Sequence, residues 1–281
     1  MASYHCLTFL TDYGLEDGFV AACHGVALQI APDARILDIT HLVPPGDIRR
    51  GAAVLAQTVP YLPRAVHVAV VDPGVGTSRR GVAVETASGS VFVGPDNGLL
   101  SWAVEEAGGA VAAMSLTNKD LWRDSVTATF HGRDIFMPVA ASLAAGVPLR
   151  EAGRDLATAS LVTLGRPGSR VSGDTASGEV LTVDRFGNVQ LSVTAADAAA
   201  AGAVPGGPAR LGWNDQSRND QDERVIPFGR TFGDVPPGEL VAYPDSSGLI
   251  AIAVNQGDAA GLLPLRPGTP VSLRFQTLTK F

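Results

Sequence analysis

The chain has 281 residues, 46% of them hydrophobic, so it is long enough for one large domain or two ordinary ones, each with a core. Its formal net charge of −7 disfavours a nucleic-acid partner, because such proteins carry clustered Lys and Arg. It lacks an apolar run of about 18 residues, and its first residues do not resemble a signal peptide, which predicts a cytoplasmic protein with no membrane segment.

The first 165 residues alternate between strand-like and helix-like patterns. Predicted strands cover residues 6–10, 35–39 and 66–71, followed by a hairpin of 81–85 with 90–93. Predicted helices cover residues 16–30, 47–58, 99–107 and 131–145. Alternation of this kind predicts an α/β domain with a mostly parallel sheet and helices on both of its faces.

The second part of the chain has a different composition. Residues 165–178 are rich in Gly, Ser and Pro, as a linker is. Short strand-like runs follow at residues 179–183, 189–193, 225–228, 240–243, 249–254 and 271–275, and the polar stretch 214–223 predicts a loop. We therefore expect an α/β domain at 1–165, a linker at 166–178, and a smaller all-β sandwich or barrel at 179–281.

A carboxylate and two arginines follow the third predicted strand. This strand is dense in β-branched residues and ends at Asp72, in a glycine-rich turn that leads to Arg79. Ligands of open α/β sheets bind at the carboxyl ends of the strands, so Asp72 is a candidate site residue. Asp-Pro-Gly is also an ordinary tight turn, and the segment alone favours neither interpretation. The glycine spacing matches neither a phosphate loop nor a dinucleotide fingerprint.

Asp12 occupies an equivalent position after the first predicted strand. If the first and third strands are parallel neighbours, Asp12 and Asp72 emerge at the same edge of the sheet and one ligand could contact both. A carboxylate at that place can accept both hydroxyls of a ribose.

His131 lies in a polar cluster at the start of an otherwise apolar helix. The helix dipole would lower the pKa of His131 and favour a neutral imidazole that can accept a proton, although a single histidine is more often structural. The other histidines lack the spacing of a zinc motif, and Cys6 and Cys23 lie in apolar segments. The sequence therefore predicts no metal site.

Two turns of the second domain carry further candidates. Asp184, Phe186 and Asn188 lie in a strand-turn-strand segment, where a ring to stack on and an amide would suit a flat heterocycle. The same residues also make an ordinary turn, which is the stronger interpretation in isolation. Ser246 and Ser247 lie in another turn, ahead of a strand and a second polar turn at 255–256.

Six motifs together resemble one family. They are FLTDYG (9–14), VVDPGVGTSRR (70–80), VGPDNGLL (93–100), TFHGRDIF (129–136), DRFGNV (184–189) and SSGLIAIAVNQG (246–257). The motifs occur in the same order as in that family and span nearly the whole chain. In them the sequence resembles the S-adenosyl-L-methionine (SAM) hydroxide adenosyltransferases, which form adenosine and L-methionine. That family is related to the fluorinase and the chlorinase. The resemblance implies an amino-terminal α/β domain, a carboxy-terminal β-barrel domain, and a homotrimer that binds SAM at subunit interfaces.

The resemblance also implies roles for individual residues. A water-activating set carries over onto Asp72, Arg79 and His131. The resemblance implies that Asp12 binds the ribose hydroxyls and that Asp184 and Ser246 face the methionine amine and carboxylate. It also implies that adenine is bound by Phe186, Asn188 and backbone groups near Val254 and Gln256. Ser247 stands where the halogenating relatives have arginine and Gly46 where the fluorinase has tryptophan, so methionine binding should differ in detail. No cofactor and no metal are expected.

The implied reaction is displacement of methionine from C5′ of the sulfonium by hydroxide. Asp72 beside Arg79 is expected to be a weak base, because an adjacent cation stabilises the ionised carboxylate. The expected proton acceptor is therefore His131, with Arg79 stabilising hydroxide and Asp72 orienting the water. Two alternatives stay open: a SAM adenosyltransferase that uses halide, and a sensor that binds adenosine or SAM without catalysis.

Overall fold

The computed structural model describes residues 4–215 and 220–275. The chain divides into two compact units, Met1–Gly165 and Arg166–Phe281. The secondary structure of each unit follows the change of composition in the sequence, with helices and strands in the first and mainly strands in the second.

The first unit contains seven strands and four α-helices among the described residues. The strands are β1 (Cys6–Thr11), β2 (Arg35–Thr40), β3 (Val66–Val70), β4 (Gly81–Thr86), β5 (Val91–Pro95), β6 (Ala110–Leu116) and β7 (Gly153–Asp155). The helices are α1 (Phe19–Ile30), α2 (Ile48–Thr58), α3 (Ser101–Glu106) and α4 (Met137–Ala144), and a π-helical turn, Gly132–Phe136, leads into α4. No helix of the described part of the chain is long and apolar enough to cross a bilayer.

The seven strands form one mixed sheet in the order β2-β1-β3-β5-β4-β6-β7. The pairings β2/β1, β1/β3 and β3/β5 are parallel, and the other three are antiparallel. The α/β class is therefore confirmed, whereas the parallel part is limited to four neighbouring strands. The first and third strands are parallel neighbours, with Thr11 opposite Val70, so the condition that places Asp12 and Asp72 at one edge is met.

The core of the first unit lies around these parallel strands. All five residues of β3 are buried, as expected of a strand covered on both faces. Helices α1 and α4 pack against each other, and α2 packs against α3. Helix α2 begins where the sequence predicts, because the Asp47 side chain accepts a hydrogen bond from the Arg50 backbone N–H at 2.8 Å.

The second unit is an eight-stranded, nearly closed antiparallel barrel. Its strands are β8 (Arg170–Ser172), β9 (Thr175–Val183), β10 (Val189–Thr194), β11 (Pro208–Asp215), β12 (Asp220–Pro227), β13 (Leu240–Pro244), β14 (Leu249–Val254) and β15 (Pro270–Phe275). The order is β12-β11-β15-β9-β10-β14-β13, with β8 beside β9. A bridge between Phe228 and Ala242 brings the two outer strands together. The predicted β-barrel is thus confirmed. Two short helices, α5 (Ala195–Ala200) and α6 (Ala259–Leu262), complete the unit.

Two segments differ from their predicted state. The stretch predicted as a linker, 166–178, contains β8 and the first residues of β9, joined through Gly173 at φ 58°. The polar stretch 214–223 contains the ends of β11 and β12, while residues 216–219 lie outside the described part of the chain. In both places polar residues occupy strands at or near an edge of the sheet, where one side of the strand can face water.

Candidate active site

A cavity of about 170 Å³ opens at the carboxyl ends of β1 and β3. Asp12 directly follows β1, and Asp72 follows β3 by two residues. The polar side chains that line the cavity are Asp12, Tyr13, Asp72, Thr129 and His131. The topology therefore brings the two predicted carboxylates to one edge of the sheet, where open α/β sheets bind ligands.

Asp72 and Arg79 form a buried ion pair beside this cavity. The Arg79 Nε–H donates to Asp72 Oδ1 at 3.0 Å, and Arg79 Nη2 contacts Asp72 Oδ2. The side chains of Arg79 and Asp72 are 10% and 5% exposed, so little solvent screens their charges. The guanidinium also lies 5.2 Å from the centre of the Phe136 ring. A bidentate pair of this kind holds both charges in fixed directions.

His131 completes a contact chain with this ion pair. Arg79 Nη2 lies 3.1 Å from His131 Nδ1, and because a guanidinium can only donate, Nδ1 is the acceptor. A neutral imidazole that accepts at Nδ1 carries its hydrogen on Nε2. The pKa of His131 is lowered by burial and then by Arg79, against the opposing effects of Asp72 and Asp134. The predicted direction is confirmed, but burial and an arginine cause the shift.

Asp134 holds the segment that carries His131 in place through its hydrogen bonds. This fully buried carboxylate accepts hydrogen bonds from the Thr127 N–H at 2.9 Å, the Thr127 hydroxyl at 2.7 Å and Arg133 Nε at 2.6 Å. Burial alone would raise the pKa of Asp134, but the hydrogen bonds from Arg133 and Thr127 lower it. The carboxylate therefore stays charged and ties residues 127–134 together.

Gly132 allows a close contact at the floor of the cavity. A Cβ atom at Gly132 would lie 2.0 Å from the Tyr13 hydroxyl oxygen, so only glycine lets this ring approach the backbone so closely. Tyr13 is also held at its other side by edge-to-face contacts with Phe9 and Phe130. Burial raises the pKa of Tyr13 well above its usual value, so the phenol remains protonated.

Asp12 is anchored by the loop that follows β2. Its Oδ2 accepts a hydrogen bond from the Gly46 backbone N–H at 2.8 Å. Gly46 has φ 74°, a left-handed conformation that side chains rarely adopt. The carboxylate of Asp12 is thereby held at the cavity that Asp72 and His131 also line.

In the second unit, Asp184 organises the turn between β9 and β10. Its Oδ1 accepts the N–H groups of Phe186 at 2.8 Å and Asn188 at 2.9 Å, and its Oδ2 accepts Asn188 Nδ2 at 2.8 Å. This is a second task for a carboxylate that the resemblance assigns to the methionine amine. The Phe186 ring is 69% exposed and is free to contact a ligand.

The β9–β10 turn packs against the segment that follows β14. The Ala260 N–H donates to the Gly187 carbonyl at 3.0 Å, and a Cβ at Gly187 would lie 1.9 Å from Asp258 Oδ1. Val254 ends β14, and Gln256 has φ 56°, the one positive φ of a non-glycine among the described residues. The predicted adenine residues of this unit therefore occupy two adjoining turns.

Ser246 lies in a third turn, between β13 and β14. The side chain of Asp245 organises this turn by accepting the N–H groups of Ser247 and Leu249 at 2.8 and 3.1 Å, and Ser246 itself is exposed. Ser246 and Val254 thus lie at opposite ends of β14.

Tyr13, Thr129 and Gly132 line the cavity but were not singled out from the sequence. Each is a direct neighbour of a candidate or one residue removed from it, within the motifs FLTDYG and TFHGRDIF. The signal that could have found them is the unusual polarity of both segments beside apolar secondary structure.

The chain is similar to known proteins over most of its length. Residues 7–153 match the model of the SAM hydroxide adenosyltransferase N-terminal domain, and residues 178–272 match that of the C-terminal domain. The chain is 55% identical to the (R)-S-adenosyl-L-methionine hydrolase of Salinispora arenicola, over 95% of this chain and 97% of the relative. A fluorinase of an Actinoplanes species is 30% identical over 95% of this chain and 96% of its own length. A conserved, uncharacterized protein of Thermotoga maritima has a crystal structure that superposes with a TM-score of 0.87, at 36% identity, covering 95% of this chain and 99% of that one.

Proposed function

Because the chain belongs to the SAM hydroxide adenosyltransferase family, we propose that it hydrolyses SAM to adenosine and L-methionine. The observation that carries the proposal is the buried Asp72–Arg79–His131 contact chain beside the cavity that also holds Asp12. A site for binding alone has no need of a water-activating set, and identity to a SAM hydrolase is well above that to a fluorinase.

The substrate supplies the electrophile of this reaction. The oxygen of water bonds to C5′, the C5′–S bond breaks, its electron pair stays on sulfur, and methionine leaves as a neutral thioether. The sulfonium charge is lost, and one proton of the water must be accepted nearby. Because hydroxide and sulfonium cancel charge as they join, a dry pocket favours the reaction and no metal is required to polarise the leaving group.

Asp72 is the proposed proton acceptor. His131 Nδ1 already accepts from Arg79, and its neutral ring has the remaining hydrogen on Nε2, so it has no free lone pair for a second proton. Each oxygen of Asp72 keeps a lone pair beyond its contact with Arg79. This pattern supports Asp72 rather than His131, contrary to the expectation from the sequence. Arg79 stabilises the developing hydroxide, and His131 orients Arg79.

The remaining candidates divide the substrate among them. Asp12 accepts the ribose hydroxyls, and the exposed Phe186 ring stacks on adenine. Asn188 and the backbone near Val254 and Gln256 pair with the edge of adenine. Ser246 and the remaining lone pair on Asp184 Oδ2 bind the methionine amine and carboxylate.

The configuration at sulfur is part of the proposal. L-Methionine already fixes the α-carbon, so the (R) in the name of the Salinispora arenicola relative describes the sulfonium. We expect this chain to act on the same epimer. The two sulfonium epimers differ in the direction of the methyl group, and an in-line attack requires that the C5′–S bond point away from the water.

The working enzyme is proposed to be a cytoplasmic homotrimer, with each site shared between the first unit of one subunit and the second unit of the next. A closed cyclic assembly satisfies such an interface on every subunit. Light scattering of fully active enzyme should give three chain masses. Full activity at one chain mass would contradict the shared site.

The reaction is tested with separated (R) and (S) sulfonium epimers of SAM in oxygen-18 water. We expect one heavy oxygen in the adenosine and none in the methionine, with faster turnover of the (R) epimer. Parallel reactions with chloride or fluoride should yield no halogenated nucleoside. Release of unlabelled adenosine, or formation of a halogenated product at a comparable rate, would contradict water attack at C5′.

Binding measurements separate adenine recognition from chemistry. Asn188→Ala leaves an edge of adenine unpaired, and Phe186→Ala removes the stacking surface, so each should weaken both adenosine and SAM by about 1–3 kcal/mol. Ser246→Ala should weaken SAM and spare adenosine. Calorimetric titration of each variant with both ligands measures these differences.

Asp184→Ala provides a further contrast in the same titrations. Since its carboxylate holds both Phe186 and Asn188, its removal should weaken adenosine as well as SAM. Loss of SAM binding alone would show that Asp184 serves only the methionine end. Unchanged adenosine binding by Asn188→Ala would show that this segment is only a turn.

A further inference from the structure

Two histidines and an aspartate from separate parts of the sequence meet beside β2. His24 lies on α1, Asp38 on β2, and His41 just after β2. Asp38 Oδ1 is 2.9 Å from His24 Nε2 and 3.1 Å from His41 Nε2, and one ligand atom from each residue falls within 4.8 Å of the others. Neighbouring ligand atoms around tetrahedral zinc stand about 3.3 Å apart, so small side-chain movements suffice to surround an ion.

His41 is oriented as a metal ligand would be. It is 3% exposed, and its Nδ1 lies 2.8 Å from the Thr11 hydroxyl, which fixes the ring. Among the described residues, its buried Nε2 has no hydrogen bond of normal geometry, and its nearest carboxylate oxygen is Asp38 Oδ1 at 3.1 Å. A buried polar atom without a partner is destabilising, and a ligating histidine characteristically has its second ring nitrogen held by another group.

The surroundings favour entry of an ion from solvent. The side chains of Asp38 and His24 are 41% and 28% exposed, so a cation and a bound water can reach the open side of the cluster. Two imidazoles and one carboxylate suit Zn²⁺ and neighbouring transition metals better than Mg²⁺ or Ca²⁺, which prefer oxygen ligands.

We propose that His24, Asp38 and His41 bind one divalent transition-metal ion, with Zn²⁺ as the best fit, completed by water. The site is structural. The His41 carbonyl accepts the Gly14 N–H at 2.8 Å, and Thr11 accepts the Tyr13 N–H at 3.1 Å. A metal here would clamp α1 and β2 to residues 11–14, which carry Asp12 and Tyr13, while taking no part in the displacement reaction.

The test uses full-length protein treated with a chelator and then titrated with Zn²⁺ or Co²⁺. Calorimetry should show one Zn²⁺ per chain, and Co²⁺ should give the visible absorption of a four- or five-coordinate ion. Saturating Zn²⁺ should raise the melting temperature by about 5 °C. Absence of both stoichiometric binding and the Co²⁺ bands would overturn the proposal.

The partly exposed ligands give variants that retain the fold. Asp38→Asn and His24→Gln should each weaken Zn²⁺ binding at least tenfold and abolish the thermal shift, with unchanged circular dichroism. The matched control is His5→Gln, which removes an exposed histidine outside the cluster and should leave Zn²⁺ binding unchanged. Equal affinity in wild type, Asp38→Asn and His24→Gln would place the ion elsewhere and overturn the proposal.

Discussion

Asp72→Ala, Arg79→Ala and His131→Ala should each lower kcat for SAM hydrolysis by about two to four powers of ten. This is the usual effect of removing one positioned acid-base or electrostatic group. The three side chains form one contact chain, so their effects should not add: a double variant should be little worse than the worse single one. Single-turnover kinetics measure the loss, and calorimetry should show that SAM still binds. Near-normal turnover in all three variants would exclude this set.

His131→Asn distinguishes between the two possible proton acceptors. An asparagine oxygen can replace Nδ1 as the acceptor for Arg79, but an amide is not a base. If His131 only orients Arg79, kcat of His131→Asn should be at least tenfold higher than kcat of His131→Ala. If His131 takes the proton, the two variants should be equally slow. Asp72→Asn should resemble Asp72→Ala when Asp72 is the base, although asparagine fills the same space.

The pH dependence gives an independent readout of the same contact chain. Burial and Arg79 lower the pKa of His131, so its ring stays neutral until the pH falls below the usual histidine value of 6.5. Protonation then puts a hydrogen on Nδ1 facing the guanidinium, and the contact is lost. We expect kcat/KM to decrease at acid pH with a midpoint below pH 6.5. This decrease should be absent in His131→Asn. An unchanged decrease in that variant would assign it to another group.

The arrangement of strands was largely readable from local pattern, with instructive exceptions. Strand β3 was predicted because its β-branched residues are buried on both faces. Strand β6 was not predicted, because four of its seven residues are alanine or methionine, which have little preference for strands. It forms through its antiparallel pairing with β4. Helix α5 has a readable signal that was overlooked, the reciprocal capping of Thr194 and Asp197.

The members of the site were more predictable than their contacts. Asp12 and Asp72 follow from the rule that parallel strands share a carboxyl edge, once β1 and β3 pair. The tautomer of His131 does not follow, because it depends on a donor 52 residues away in sequence. The cluster of His24, Asp38 and His41 does not follow from the sequence either. Its spacing fits no zinc motif, and only the fold brings His24 on α1 beside Asp38 on β2.

Asp134→Asn should lower the free energy of unfolding by about 2–4 kcal/mol and also reduce kcat. The carboxylate is fully buried and accepts hydrogen bonds from Thr127 and Arg133. An amide in its place would turn an N–H donor toward one of these donors and remove the buried charge that Arg133 pairs with. Since its folded-state pKa is lowered, this stabilisation is complete above the unfolded pKa of about 3.8 and is lost as pH falls through the folded pKa. Urea unfolding at pH 7 measures the loss.

A graded pair of variants shows whether Asp134 acts through residues 127–134. Thr127→Val removes only the hydroxyl donor and keeps the backbone N–H, so it should cost about 1 kcal/mol, less than Asp134→Asn. Asp124→Asn is the matched control: it makes the same chemical change on an exposed residue nearby and should stay within about 0.5 kcal/mol of the parent. If Asp134→Asn were as stable as Asp124→Asn but slow in turnover, the carboxylate would act on His131 electrostatically. A parent-like kcat in a destabilised Asp134→Asn would show instead that His131 is held by Arg79 alone.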